Sequence, residues 1–153
     1  MLQEKLSLQI VCALGCLIFA CKGQTLERDF FNKPLGNRLE RLRQFPLEDQ
    51  YRIFRYGNDM IEPPLIDLAD PIAEKGAAAV PFLERQLRSS YDDITVRDVL
   101  LVFQTMATSK SYAVQNDPSL MDLLNSKVAA MKSDEWKSVC LKMLKRIEDS
   151  RSL

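Results

Sequence analysis

Histidine is absent from this chain of 153 residues, and only five of the residues are glycine. Histidine is the commonest general base in enzymes and the commonest metal ligand, so its absence excludes most familiar catalytic and transition-metal centres. Loops that bind phosphate groups are usually rich in glycine, so five glycines make such a loop unlikely. Neither the P-loop motif nor the G-x-S-x-G motif of hydrolases occurs in the sequence. We therefore expect no catalytic residues, no metal site and no cofactor.

An excess of charge of one sign is also lacking, because 21 basic residues balance 21 acidic ones. Nucleic-acid-binding proteins normally carry a basic excess, so we expect no nucleic-acid partner. Locally the charge is uneven, since an arginine-rich segment precedes a carboxylate-rich one. The arginines are Arg38, Arg41, Arg43, Arg52 and Arg55, and the acidic residues are Asp59, Glu62, Asp67, Asp70 and Glu74. These segments are either solvated helix faces that pair across a loop or a bipolar surface for a partner.

The first 20 residues have the pattern of an export signal. Lys5 and the amino group of Met1 give a positive start, and a mostly apolar run follows from Leu6 to Ala20. A membrane-spanning helix needs about 20 apolar residues, whereas the apolar region of a signal peptide is shorter. The pattern therefore favours a signal peptide. A signal peptide cut at another residue, a retained membrane anchor and a cytosolic helix are the alternatives.

The run ends in Ile18-Phe19-Ala20-Cys21, which resembles the lipobox of bacterial lipoproteins. The resemblance implies cleavage before Cys21 and lipidation of that cysteine. It places the protein in the cell envelope, anchored to a bacterial membrane on the periplasmic side. The segment Ala13–Cys16 is a weaker match to the same pattern. Cys140 then remains as the single cysteine without lipid, and its place on an amphipathic helix predicts a buried small side chain.

From Asn37 onward the apolar residues recur at helical spacing, and no alternating strand pattern persists. The sequence predicts an all-α fold of about six or seven helices, packed as antiparallel pairs. The predicted organisation is a signal peptide at 1–20, a tether at 21–36, a helical domain at 37–149 and a polar tail at 150–153.

Several features of these helices are also predicted. Gly57 is expected to end the second helix, Pro71 to kink or break the third, and Asp93 to cap the fifth. The fifth helix, through residues 94–107, is apolar on most sides and is expected to be central. The last helix carries the cleanest amphipathic stripe, at residues 136–147.

The segments Gly76–Leu87, Asp92-Asp93 and Val96–Leu100 resemble HEAT-like repeats. Such repeats have a helix with the pattern AVP-x-L, an acidic turn, and the pair VR at the start of the next helix. The resemblance covers residues 64–107, a little over one repeat. It implies a right-handed array of antiparallel helix pairs whose default activity is protein binding. It also implies a structural role for Arg97, through the turn carbonyls or a neighbouring aspartate.

A group of carboxylates gives the alternative functions. Asp67, Asp70 and Glu74 are spaced by three and four residues on one predicted helix. They can converge on one face, where carboxylates can bind a divalent cation or raise one another's pKa. A solvated face is the simpler interpretation. The alternatives are thus a carboxylate-based metal-binding protein or hydrolase, or a periplasmic binder of small molecules between helix pairs.

The segment Tyr51–Tyr56 interleaves aromatic residues with arginines, a mixture that is enriched at protein interfaces. Tyr51 and Phe54 are expected to pack inward. The predicted interaction surface comprises Arg52, Arg55, Tyr56, Asn58 and Asp59, with the loop at 56–64. The leading prediction is a non-catalytic envelope lipoprotein. Its helical domain would be tethered to the membrane through Cys21 and would bind another envelope protein.

Labelling of cells with a palmitate analogue tests the anchor. The wild-type protein is expected to take up the label, and the Cys21→Ser variant is expected to lose it because the acceptor thiol is gone. Cys16→Ser is the matched control and should keep the label. Equal labelling of the wild type and Cys21→Ser would contradict lipidation at this residue.

Overall fold

The computed structural model describes residues 26–34 and 36–150. The predicted signal peptide, Cys21 and the last residues of the polar tail lie outside the described residues. Within the described ranges every regular element is helical and no strand occurs, which confirms the all-α prediction. The chain divides into two units, residues 1–38 and residues 39–153. In the first unit, residues 26–31 are helical, inside the segment predicted as a tether.

Seven α-helices lie between Arg38 and Asp149, in agreement with the predicted six or seven. They are α1 (Arg38–Arg43), α2 (Leu47–Met60), α3 (Asp70–Ala73), α4 (Val80–Ser89), α5 (Asp93–Ser109), α6 (Pro118–Ala129) and α7 (Asp134–Asp149). Short 3₁₀ turns occur at Ile66–Ala69, Gly76–Ala78 and Val114–Asn116.

Helix α5 is the central helix of the second unit. Apolar side chains cover most of its surface, and Val99, Leu100 and Phe103 are completely buried. The helix packs along α7 and also contacts α3, α4 and α6. A helix that is apolar on most sides is stable only when other elements cover it, so the predicted central position is confirmed.

Helix α7 packs its amphipathic stripe against α5. Cys140, Leu144 and Ile147 lie on this stripe and are buried. Burial raises the pKa of the Cys140 thiol to about 11. Only the thiolate is a strong nucleophile, so this cysteine is unreactive at neutral pH and serves as a small core side chain, as predicted.

Three of the longer helices begin at a side-chain cap. The carboxylate of Asp92 accepts hydrogen bonds from the N–H groups of Ile94 and Thr95 at the start of α5. The prediction that Asp93 caps this helix was therefore wrong by one residue. Asp93 instead accepts hydrogen bonds from the backbone N–H groups before α7, at 2.7 Å from Ser133. The two carboxylates thus fix the starts of two different helices.

Gly57 does not end α2, which continues through it to Met60. Glycine in a helix interior costs about 1 kcal/mol relative to alanine, so other interactions must favour the extra turn. The side chains of Asn58 and Asp59 supply them, because both bond to residues of α5. Tertiary contacts therefore override the stop signal that the sequence contains.

The kink or break predicted at Pro71 is a change of helix type one residue earlier, where Ala69 and Asp70 both keep right-handed helical conformations. A 3₁₀ turn ends at Ala69, and Pro71 lies in the first turn of the short helix α3. Gly76 follows with a φ of +53°, a conformation that favours glycine. A Cβ atom at residue 76 would lie 2.5 Å from the carbonyl oxygen of Ser111. Close approach of two backbone segments thus requires glycine here.

Substitution of Gly76 tests this packing. We expect Gly76→Ala to lower the free energy of unfolding by about 1–3 kcal/mol, as for other non-glycine residues in strained backbone conformations. Urea unfolding followed by circular dichroism measures the change. Gly36→Ala is the control, because no atom lies within 4 Å of its added Cβ. An equal effect of the two substitutions would contradict the packing argument.

Candidate functional site

A buried carboxylate, Asp98, lies at the centre of the candidate site. It is completely buried on α5. Its Oδ1 accepts hydrogen bonds from Asn58 Nδ2 at 2.7 Å and from the Nε and Nη2 atoms of Arg97 at 2.9 and 2.7 Å. Its Oδ2 accepts from Arg55 Nε at 3.3 Å. A buried charge is tolerated only when it is paired and hydrogen-bonded, and Asp98 is both.

Arg97 links three helices. Besides Asp98, its guanidinium donates to the carboxylate of Asp59 at the end of α2. Its carbon Cζ also lies 4.7 Å from the centre of the Trp136 ring on α7, which is a cation–π contact. The side chain of Arg97 is 11% exposed, so little solvent screens these contacts. The predicted bond from Arg97 to a neighbouring aspartate is confirmed, and the arginine has a structural role.

Arg55 completes a group of ion pairs, which we call the Asp98 cluster: Arg55, Asn58, Asp59, Asp92, Arg97 and Asp98. Arg55 Nη2 lies 3.6 Å from a carboxylate oxygen of Asp92 and 3.8 Å from one of Asp59. The cluster contains two arginines and three aspartates, so its formal charge is negative by one. It joins the end of α2 to the start of α5.

The surroundings change the pKa values of two of these carboxyls in opposite directions. Burial raises the pKa of Asp98, and the opposing effect of Arg97 does not cancel it. Burial also acts on Asp92, but hydrogen bonds from Thr95 and Ile94 outweigh it and lower the pKa of that carboxyl. The Tyr51 hydroxyl is buried beside the cluster and finds no hydrogen-bond partner in the described part of the chain. Burial raises the pKa of Tyr51 as well.

The outer face of α2 differs from the inner face. Arg52, Tyr56 and Met60 are spaced by four residues, so they share this face, and all three are exposed. Met60 is 68% exposed. The chain then turns back, and Leu65 N–H donates to the Gly57 carbonyl at 3.1 Å. Ile66 follows Leu65 directly and is 58% exposed. We call Tyr56, Met60 and Ile66 the loop patch.

The structure therefore separates the predicted interaction surface into two groups. Arg55, Asn58 and Asp59 turn inward to the Asp98 cluster, whereas Arg52 and Tyr56 face outward. The binding role of the set stays a prediction. Met60 lies within the predicted loop at 56–64, although the sequence did not single it out. Ile66 was missed, and its only signal in the sequence is its position shortly after two prolines.

The acidic residues of the alternative function do not form a cation site. Glu74 accepts two hydrogen bonds from Arg43, at 2.7 and 2.5 Å, so this carboxylate is already paired. Asp67 lies on the 3₁₀ turn, and Asp70 begins α3. In residues 26–34 and 36–150, no group of three potential ligands is close enough to hold a metal ion. Burial, followed by the nearby charges of Asp67 and Glu74, raises the pKa of Asp70, so the three carboxylates lie near one another without forming such a group.

Two shallow depressions lie where α5 and α7 end together near Lys110. Their volumes are about 170 and 250 Å³, and Ala107, Lys110 and Ser150 line both. Typical sites for small molecules are larger, roughly 300–1,000 Å³, and more enclosed. These depressions therefore give little support to a small-molecule binder.

Comparisons of this chain with protein-family models, curated proteins and solved structures gave no match. Its function is therefore inferred from its own residues. Within the described ranges, no helix combines the length and the apolar character needed to cross a membrane.

Removal of the central carboxylate tests the Asp98 cluster. Loss of one partner from a buried ion pair typically costs about 3–5 kcal/mol, so Asp98→Ala should lower the free energy of unfolding by that amount. Asp49→Ala is the matched control, because Asp49 pairs with Arg52 at an exposed position. The control should change stability by about 0–1 kcal/mol. Urea denaturation measures both, and similar small changes would contradict a structural role for the cluster.

The raised pKa of Asp98 gives a second prediction. The folded state holds the Asp98 proton more tightly than the unfolded state, where the pKa is near 3.8. Between these two pKa values the folded state binds more protons, so this residue's contribution to stability falls as the pH rises. Asp98→Asn removes the titration. The stability of the wild type relative to Asp98→Asn should therefore fall as the pH rises from 4 towards neutrality. A constant difference over this range would contradict the prediction.

Proposed function

We propose that this protein is a non-catalytic binding module whose loop patch contacts another protein. The observation that carries the proposal is the exposure of Met60 and Ile66 beside a rigidly held helix end. Isolated exposed apolar side chains are common on protein surfaces and need no explanation. Here, however, two large apolar side chains are exposed within seven residues of sequence, with exposed Pro63 and Pro64 between them.

The Asp98 cluster supports this proposal because it holds the end of α2 in place. Asn58 and Asp59 precede Met60 directly, and both bond to α5. The hydrogen bond from Leu65 to Gly57 closes the other side of the loop. A surface that is already ordered loses less conformational entropy on binding, so a rigid loop base favours affinity. The cluster is therefore a support for the loop and not a reactive centre.

We further propose that the module is a lipoprotein of the bacterial cell envelope. Cleavage before Cys21, lipidation of that cysteine and a segment leading to the helical domain would place the loop patch near a membrane on the periplasmic side. The support for this part is the leader pattern Ile18–Cys21 in the sequence. The arrangement of the domain as a right-handed, HEAT-like array is a proposal of the same kind. It is supported by the acidic turn at Asp92 and by the structural position of Arg97.

Site-specific photo-crosslinking in native cells tests the binding function. A photoreactive amino acid at Met60 or Ile66 is expected to form a crosslink of defined mass with another protein. The same amino acid at Leu141 is the matched control, because Leu141 is 52% exposed on α7. Met60→Ser, combined with the photoreactive group at Ile66, should reduce the yield of the crosslink. The absence of a crosslinked product from both Met60 and Ile66 would refute the proposal. Equal yields of crosslinked product from all three positions would also refute it.

A further inference from the structure

We propose that the outer face of α7 docks on an anionic membrane surface, where Leu141 enters the headgroup region and three cations contact lipid phosphates. We call Leu141, Lys142, Lys145 and Arg146 the basic face. This inference rests on the proposed lipoprotein function, and it adds a second contact between the helical domain and the membrane.

The basic face is one continuous surface because helical spacing joins its members. Leu141 and Lys145 are four residues apart, as are Lys142 and Arg146, and residues at this spacing are neighbours on a helix surface. All four residues are exposed, and Leu141 is 52% exposed. The opposite side of the helix carries the buried stripe that packs against α5. The core therefore determines that the basic face points outward.

The cations of the basic face are not compensated by ion pairs. Between Trp136 and Ile147 the charged residues are four cations, and no carboxylate occurs there. Lys137 is engaged within the structure, since its Nζ donates to the Ala129 carbonyl at 2.8 Å. The other three are the cations of the basic face. Among the residues that the structure describes, none of these three forms an ion pair or a side-chain hydrogen bond.

Carboxylates lie at the two ends of α7. Asp134 and Glu135 are in the first turn, where the positive end of the helix dipole favours them. Glu148 and Asp149 are in the last turn, and neither forms an ion pair within residues 26–34 and 36–150. Positive charge is therefore concentrated in the middle of the helix, beside Leu141. Within the basic face the cations repel one another, and an anionic surface would relieve this repulsion.

An anionic lipid surface fits both the charge and the apolar centre of the basic face. Each Lys or Arg close to such a surface strengthens binding by about fivefold. The long side chains of Lys and Arg can lie along the apolar boundary while their charges reach the phosphates, and Leu141 can insert between them. Nucleic acid offers phosphates without an apolar layer, so it would leave Leu141 uncovered. Three cations alone bind weakly, whereas a lipid anchor combined with a basic patch gives stable attachment.

Fluorescence quenching by brominated lipids tests the docking. The full chain carries an environment-sensitive fluorescent amino acid in place of Leu141 and is mixed with vesicles whose lipid tails are brominated. One preparation is pure phosphatidylcholine, and the other contains phosphatidylcholine and phosphatidylglycerol in equal parts. We expect quenching by the anionic vesicles and little by the others. Added salt should reduce the quenching because it screens exposed charges. Equal quenching by both preparations, or none by either, would overturn the inference.

Charge reversal then locates the contact. Lys145→Glu should lower the ratio of docked to undocked domain by about thirtyfold, because it removes one attraction and adds one repulsion. Lys75→Glu is the matched control, since Lys75 is exposed outside α7 and the substitution changes the net charge equally. It should leave the quenching nearly unchanged, and circular dichroism checks that both variants are folded. Equal quenching in Lys145→Glu and Lys75→Glu would overturn the inference.

The same vesicles distinguish this inference from the proposed function. Flotation of the protein with phosphatidylcholine vesicles reports the lipid anchor, because uncharged vesicles do not attract the basic face. Flotation with both preparations but no quenching at residue 141 would support the anchor and overturn the docking. Quenching by the anionic vesicles without flotation on phosphatidylcholine would support the docking and contradict the anchor.

An acidic protein is the competing occupant of the basic face. A photoreactive amino acid in place of Leu141 separates the two, since docking on lipid gives no crosslinked product with the mass of a second protein. A crosslink from residue 141 to another protein, with no quenching by either vesicle preparation, would assign the basic face to a protein partner and overturn the inference.

Discussion

The pairing of one buried carboxylate with two arginines determines the arrangement of the second unit. Asp98 is completely buried on the central helix, so its charge must be satisfied by groups that other helices supply. Arg97 provides two hydrogen bonds from the same helix and, through Trp136, contacts α7. Arg55 and Asn58 provide the rest from α2. Incorrect packing of α2 would remove the hydrogen bonds from Arg55 and Asn58 to this buried carboxylate, which makes the cluster selective for one arrangement of these helices.

Buried ion pairs often add little net stability, because desolvation of the charges opposes their attraction. The main effect of the Asp98 cluster is therefore to hold the end of α2 in a defined position, more than to add stability. It extends α2 beyond Gly57 and fixes the direction in which Met60 leaves the helix. A hydrophobic replacement could stabilise the core equally well, but it would not orient a polar helix end by directional hydrogen bonds. The exposed position of Met60 at the end of α2 depends on that orientation.

Much of the fold could be predicted from sequence because the signals are local. The stripe that contains Cys140 and the apolar surface of α5 each follow from the spacing of apolar residues along one helix. The predictions are wrong where residues that are distant in sequence determine where a helix begins or ends. Gly57 is a common helix stop, yet bonds from Asn58 to α5 carry the helix past it. Asp92 and Asp93 are equivalent as sequence signals, and only the approach of Ser133 gives Asp93 a different role.

The candidate site shows the same division. The sequence shows that no Lys or Arg occurs between Arg55 and Lys75, but it does not show which carboxylates of this segment pair with arginines from other segments. Pairing of Asp59 and Glu74 with arginines neutralises two charges that the sequence presents as equal to the others. The exposed side of the segment is then defined by Met60, Glu62 and Ile66.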